Sequence, residues 1–172
     1  MLEKELIISQ ADIAGRVKEL GAAISKDYAK SPLLVVGILN GSFIFMADLV
    51  REIQSDIEID FMRVASYGMG TSSGSLRLTK DVESDIKDKD VLIVEDIIDT
   101  GRTLKYLRQS LEERGAKSVR VCALIDKKER REIDIPIDYV GFEVKSGFLV
   151  GYGLDCREQY RHFPEIYHLI DP

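Results

Sequence analysis

Apolar residues recur along this chain in two alternating rhythms. Ile13, Val17, Leu20 and Ile24 fall at helical spacing behind Ser9 and Asp12, a pair that resembles a capping box, so residues 10–28 are predicted to form an amphipathic helix. Pro32 closes that segment. Leu33–Leu39 then reads LLVVGIL, a continuous apolar run of the kind a strand buried on both faces presents. Asn40-Gly41-Ser42 punctuates it, and residues 43–53 are predicted as a second helix. IEIDFMRV at 57–64 and VLIV at 91–94 are the second and third strands. A helix carrying Leu104, Leu107 and Leu111 stops at Gly115 with Arg114 in its last turn. Runs at 119–125, 138–144 and 148–153 complete the strands. SYGMGTSSGS, at 66–75, is the longest stretch of small and flexible residues, with the composition of a mobile lid or of a plain linker.

Buried strands alternating with helices predict an α/β fold: a mainly parallel, doubly wound sheet with helices on both faces. No internal repeat or linker divides the sequence, so residues 1–172 are read as a single domain. Ligands of such folds bind beyond the carboxyl ends of the strands, which directs attention to the segments after Leu39, Val94, Ile125 and Val150.

Composition narrows the function classes. Lys and Arg number 24 against 30 Asp and Glu, a formal charge of −6 with no long basic block, which argues against a general nucleic-acid binder. Cys122 and Cys156 make no disulfide framework, and with only His162 and His168 besides there is no ligand set spaced for structural zinc. Two reduced thiols in a cytoplasmic protein is the plainer reading. No apolar run is long enough to span a bilayer, and MLEKELIISQ lacks the pattern of a signal peptide, so no membrane association is expected.

Chemistry concentrates after VLIV. Glu95, Asp96 and Asp99 are followed by Thr100, Gly101, Arg102 and Thr103 and then by a helix. Free backbone N–H groups and the helix dipole at that N-terminus favour a phosphate. Gly101 allows close backbone approach, and the threonine hydroxyls add donors. Three carboxylates would repel the phosphate unless they face ribose hydroxyls, a developing cation or a metal ion, and a ribose phosphate with magnesium satisfies all three demands. A P-loop is excluded because no Lys-Ser or Lys-Thr pair closes a glycine-rich loop, and Gly68, Gly70 and Gly74 are misspaced for a dinucleotide fingerprint.

VLIVEDIIDTGRTL closely resembles the phosphoribosyl pyrophosphate motif of type I phosphoribosyltransferases. LNGSFIF, DFMRVASYG, the lysine of ALIDKKERR and DYVGFEVKSGFLVGYGLDCREQYR extend the resemblance, in order over residues 33–161, to the hypoxanthine-guanine branch. The resemblance implies a magnesium-dependent reaction in which a 6-oxopurine displaces pyrophosphate from C1 of phosphoribosyl pyrophosphate. It also implies a small purine-binding hood and a flexible lid loop on the core sheet.

By the same resemblance each residue has a task. Glu95 and Asp96 bind the ribose hydroxyls, directly or through a metal, and suit an oxocarbenium-like transition state. Asp99 is the general base near purine N7. Asp99, Thr100, Gly101, Arg102 and Thr103 cradle the 5-phosphate. Leu39, Asn40 and Gly41 form the pyrophosphate loop, where the family often holds a non-proline cis peptide; many members carry Lys or Arg in place of Asn40, so less side-chain charge reaches the pyrophosphate here. Arg161 is a second pyrophosphate contact. Lys127 donates to the purine 6-oxygen and disfavours a 6-amino base. Phe148 stacks on the purine, Leu149 reads its edge through the backbone, and Asp155 lies beside it at a water-mediated second magnesium site. Ser66 and Tyr67 begin the lid, whose closure would exclude water. Judged without the family, Phe148 reads as core, Lys127 to Arg131 as a solvated basic loop, Asp155 and Arg161 as surface charges, and the Asp-Thr-Gly run as a helix cap.

The expected partners are therefore small molecules, phosphoribosyl pyrophosphate and a 6-oxopurine, with no nucleic acid and no membrane. Family members are commonly homodimers or homotetramers, so an oligomer is expected. The rival readings are a xanthine-preferring enzyme and a nucleotide-sensing RNA-binding regulator on the same fold.

Overall fold

The computed structural model describes residues 3–67, 75–170 and 172. Six strands form the main sheet: β2 (Leu33–Leu39), β3 (Ile57–Tyr67), β4 (Ser75–Lys80), β5 (Asp90–Ile98), β6 (Ser118–Lys127) and β7 (Tyr139–Val144), in the order β4-β3-β2-β5-β6-β7. All neighbours in it are parallel except β4, which returns antiparallel along β3. A second, antiparallel sheet, β1 (Lys4–Ile8), β9 (Ile166–Leu169) and β8 (Phe148–Val150), forms the hood.

The continuous apolar runs follow from burial on both faces. Leu33 and Val35 of β2, with Leu92 and Val94 of β5, face a core shared with α1 (Gln10–Asp27) and α2 (Phe43–Glu52). The intervening Leu34, Val36, Val91 and Ile93 face the opposite core, against α3 (Arg102–Glu113). Strand side chains alternate between faces, so a strand covered on both sides must be apolar at every position. The α3 stripe is narrow, and Leu104, Leu107 and Leu111 are all sealed beneath it, each contributing roughly 1.5–3 kcal/mol on burial. At α1 the cap is as predicted: the Asp12 amide donates to Ser9 Oγ at 3.1 Å, and that hydroxyl donates to the Asp12 carboxylate.

Three strands escape the sequence patterns. β1 and β9 are short and β4 shows an exposed-to-intermediate alternation, so none carries the apolar run that marks the central strands. The strand predicted at 57–64 continues through Tyr67, because Ser66 and Tyr67 find partners in Leu76 and Ser75 of β4. Those two residues thus belong to strand, not to a loop, while the rest of the predicted lid, 68–74 with its three glycines, lies outside the described residues. The strand predicted to reach Gly153 ends at Val150, beyond which Gly151, Tyr152 and Gly153 take positive φ.

From β2 the chain moves through α2 to β3 on one side, and from β5 through α3 to β6 on the other. The crevice between the carboxyl ends of β2 and β5 is therefore the topological switch point, where doubly wound sheets hold ligands.

Candidate active site

At that switch point lies a pocket of about 300 Å³ lined by Leu39, Gly41, Glu95, Asp96, Asp99, Thr100, Gly101, Thr103, Asp155 and Arg161. Ten of the residues singled out from the sequence thus meet around one cavity. A larger cleft of about 430 Å³ between α1, α2 and the 152–164 segment contains none of them.

The acidic pair ends β5. Glu95 is buried opposite Ala123 of β6, and Asp96 follows at the pocket floor, its Oδ1 accepting from the Ile97 amide at 2.8 Å. Burial, reinforced by the neighbouring Asp96 charge, pushes the Glu95 carboxyl well above its ordinary range. Burial also raises Asp96, against the opposing pull of the Ile97 amide and the Arg161 charge. Two desolvated carboxylates side by side form a site that a cation relieves. Magnesium is commonly held by one or two carboxylates together with substrate oxygens, which this pair fits. Asp155 is differently placed: its Oδ1 pairs with Arg161 at 3.0 Å and its Oδ2 accepts from the Glu158 amide at 2.9 Å.

The turn after β2 presses onto the same floor. The peptide between Leu39 and Asn40 is cis, and the Ser42 hydroxyl, fully buried, donates to Ile38 O at 2.7 Å. A Cβ on Gly41 would meet Asp96 Oδ2 at 1.7 Å, and one on Gly153 would meet the Gly41 carbonyl at 2.0 Å. The hood segment thus abuts the turn and carries Arg161 with it. The Arg161 guanidinium is held by Gly153 O at 2.7 Å and by Glu158 at 3.2 Å. Asn40 is exposed and stands outside the pocket lining.

The loop after β5 enters α3 through Gly101 at φ 85°, with Ile133 O only 2.6 Å from where a Cβ would stand. The N-cap of α3 is Gly101, which has no side chain to cap with. Thr100 Oγ1 instead accepts from the Arg102 amide at 3.3 Å. The Arg102 side chain pairs with Glu132 and does not line the pocket. Among the described residues Asp99 Oδ1 is buried without a hydrogen-bond partner, and Oδ2 lies 3.5 Å from Arg130. An unpaired carboxylate oxygen is costly to bury, so its presence at the pocket edge marks a group held for a ligand.

The purine-side residues gather beside the pocket rather than in its wall. Lys127 ends β6, is 8% exposed, and donates to Gly147 O at 3.1 Å. Phe148 opens β8 with 41% of its surface exposed, which overturns the core reading that periodicity gives it. Leu149 is buried and pairs with His168 of β9. Ser66 and Tyr67 lie at the end of β3, outside the lining.

Sequence patterns miss Arg131 and Asp126. The basic run reads as solvated, yet the Arg131 side chain is only 14% exposed and bonds to Asp126, itself 7% exposed, at 2.5 Å. The one available signal is Asp126 at the end of an apolar strand, where a buried charge requires a partner.

Residues 7–157 match the family model for the phosphoribosyl transferase domain. The chain is 48% identical to the hypoxanthine phosphoribosyltransferase of Salmonella typhimurium, over 94% of this chain and 93% of that protein. It is 51% identical to the hypoxanthine-guanine phosphoribosyltransferase of Streptococcus mutans, over 95% and 91%. A crystal structure of the hypoxanthine phosphoribosyltransferase from Staphylococcus aureus superposes with a TM-score of 0.93 at 45% identity, covering 98% of this chain and 92% of that one. With its acidic pair and the 99–103 loop set at the switch point of a mainly parallel sheet, the chain belongs to the phosphoribosyltransferase family, in its hypoxanthine-guanine branch.

Proposed function

We propose that this protein transfers phosphoribosyl from phosphoribosyl pyrophosphate to hypoxanthine, guanine or both, releasing pyrophosphate and forming IMP or GMP. The observation that carries the reading is the single pocket in which Gly41, Glu95, Asp96, the 99–103 loop and Arg161 converge.

The loop amides and the Thr100 and Thr103 hydroxyls bind the 5-phosphate, and Gly101 gives it room to approach. Glu95 and Asp96 bind the ribose hydroxyls and stabilise positive charge as the C1 to pyrophosphate bond breaks. Leu39, Gly41 and Arg161 hold the departing pyrophosphate. Magnesium bound at Glu95 and Asp96 would neutralise phosphate charge, and Asp155 is assigned to a second ion through water. Asp99 accepts the proton from purine N7 as N9 bonds to C1. Lys127 donates to the 6-oxygen, Phe148 stacks on the ring, and the Leu149 backbone reads its edge. A lysine has no acceptor, so a 6-amino group at that position would face donor against donor. Ser66 and Tyr67, at the end of β3, are the residues assigned to the lid.

The reading carries with it a single domain over 1–172, a homodimer or homotetramer, and a cytoplasmic setting. Among the described residues no helix is long and apolar enough to cross a membrane. The test is initial rates with phosphoribosyl pyrophosphate and magnesium against hypoxanthine, guanine, xanthine and adenine, with products separated. Turnover of hypoxanthine or guanine that a chelator abolishes is expected. Preference for xanthine would move the specificity, and no turnover by folded protein would overturn the reading.

A further inference from the structure

One guanidinium joins the two halves of this site. β5 and β6 part after the register pair Ile98 and Asp126, and Arg131 fills the fork they leave. Its Nε donates to Asp99 O at 2.9 Å, and its Nη2 lies 3.2 Å from Ile98 O, 3.3 Å from Lys127 O and 2.5 Å from Asp126 Oδ1. The amides of Glu132 and Ile133 both donate to Thr100 O at 3.0 Å. Three successive carbonyls, that of Ile98 at the end of β5 and those of Asp99 and Thr100 in the loop, are thus held by the 131–133 segment. In a trans peptide the N–H points opposite to its C=O, so fixing those carbonyls also fixes the direction of the amides of Asp99, Thr100 and Gly101, three residues of the pocket lining.

At its other end the same guanidinium fixes the backbone of the lysine assigned to the purine. Its planar fork reaches several acceptors at set angles, and the buried Asp126 carboxylate keeps it oriented. We propose that Arg131 is a positioning residue that holds the phosphate loop and Lys127 in one fixed relation, so that a single side chain sets the geometry of both substrates. This rests on the functional reading given above.

The test is a double-mutant cycle on the full chain, with Arg131→Met and Arg131→Lys each made alone and with Lys127→Ala. Arg131→Met is expected to lower kcat/KM for both hypoxanthine and phosphoribosyl pyrophosphate about tenfold or more, since small misplacements of positioned groups are costly. Arg131→Lys, which keeps the charge beside Asp126 but not the fork, is expected to recover only part. In the Lys127→Ala background the loss on hypoxanthine shrinks to about a third or less, because the lysine being positioned is gone. Should Arg131→Met fail to fold, Arg131→Lys carries the same cycle. Multiplicative effects in a wild-type enzyme that turns over hypoxanthine overturn this proposal alone. A wild-type protein that turns over neither hypoxanthine nor guanine overturns the functional reading, and this one with it.

Discussion

The carboxylate of Asp96 rests against the Cα of Gly41, leaving 1.7 Å between Oδ2 and the place a Cβ would occupy. The turn after β2 and the acidic end of β5 are thereby locked together across the switch point. Gly41→Ala must displace either the carboxylate or the turn. We expect a stability loss of about 1–3 kcal/mol from the overpacking. The catalytic loss is expected to be larger, about 100-fold in kcat/KM for phosphoribosyl pyrophosphate, because both moved groups belong to the site proposed for it. Steady-state kinetics beside thermal unfolding separate the two effects, and a KM for phosphoribosyl pyrophosphate left at the wild-type value would show that the contact has no part in binding.

Asp60 gives the stability of the sheet a pH dependence. It lies on β3, and its carboxylate accepts from the amides of Glu83 and Ser84, both at 2.8 Å, and of Phe61 at 2.7 Å. Burial alone would raise its pKa, but the amides of Ser84, Phe61 and Glu83 outweigh it and hold the carboxyl below its ordinary value. A carboxyl depressed in the folded state stabilises above its unfolded pKa, about 3.9, and loses that contribution as pH falls through the folded value. Asp60→Ala is therefore expected to cost about 1.5–3 kcal/mol at pH 7. Urea unfolding from pH 7 to 3 checks it: the gap to wild type closes below about pH 4, and a gap constant over that range would remove the charge from the explanation.

What the sequence made legible follows physical lines. β2 and β5 were readable because burial on both faces forces unbroken apolar runs, and α1 because Ser9 and Asp12 announce its start. β1, β4 and β9 were not, since edge and hood strands are stabilised by partners distant in sequence and leave little local trace. The same divide runs through the site. Glu95 to Thr103 form one contiguous string whose chemistry is local, so it could be derived residue by residue. Phe148, Asp155 and Arg161 acquire a place only when the hood folds back on the sheet, and without a family resemblance each reads as core or surface. Arg131 reads as solvated and the resemblance gives it no task, because the Ile98, Asp99 and Lys127 carbonyls that it satisfies come together only in three dimensions.

Lys127 is buried at the end of β6 with its ammonium on Gly147 O, which ties the residue proposed for base recognition to the turn before β8. Replacing it with alanine removes the only donor assigned to the purine 6-oxygen and leaves that carbonyl without its cation. The ratio of kcat/KM for hypoxanthine over adenine is expected to fall about 100-fold, mostly through loss on hypoxanthine, in keeping with what one buried polar contact contributes to discrimination. Competition between the two bases measures the ratio directly. If it stays as in wild type, the selectivity resides elsewhere, in the hood backbone.

Among the described residues Asp99 Oδ1 is buried with no partner, while the main-chain oxygen of the same residue is fixed by Arg131. The backbone is anchored, and the carboxylate keeps one oxygen open for a proton while Oδ2 pairs with Arg130 at 3.5 Å. Asp99→Asn keeps the shape but abolishes the base, so kcat is expected to fall about 10²–10⁴-fold. KM for phosphoribosyl pyrophosphate changes little, because the loop amides that bind phosphate are untouched. Thermal stability is expected to change little, since the half-buried carboxylate loses only its ion pair with Arg130 and the amide keeps its shape. Single-turnover rates complete the test by separating the chemical step from product release. A variant with wild-type kcat would assign the proton to another group.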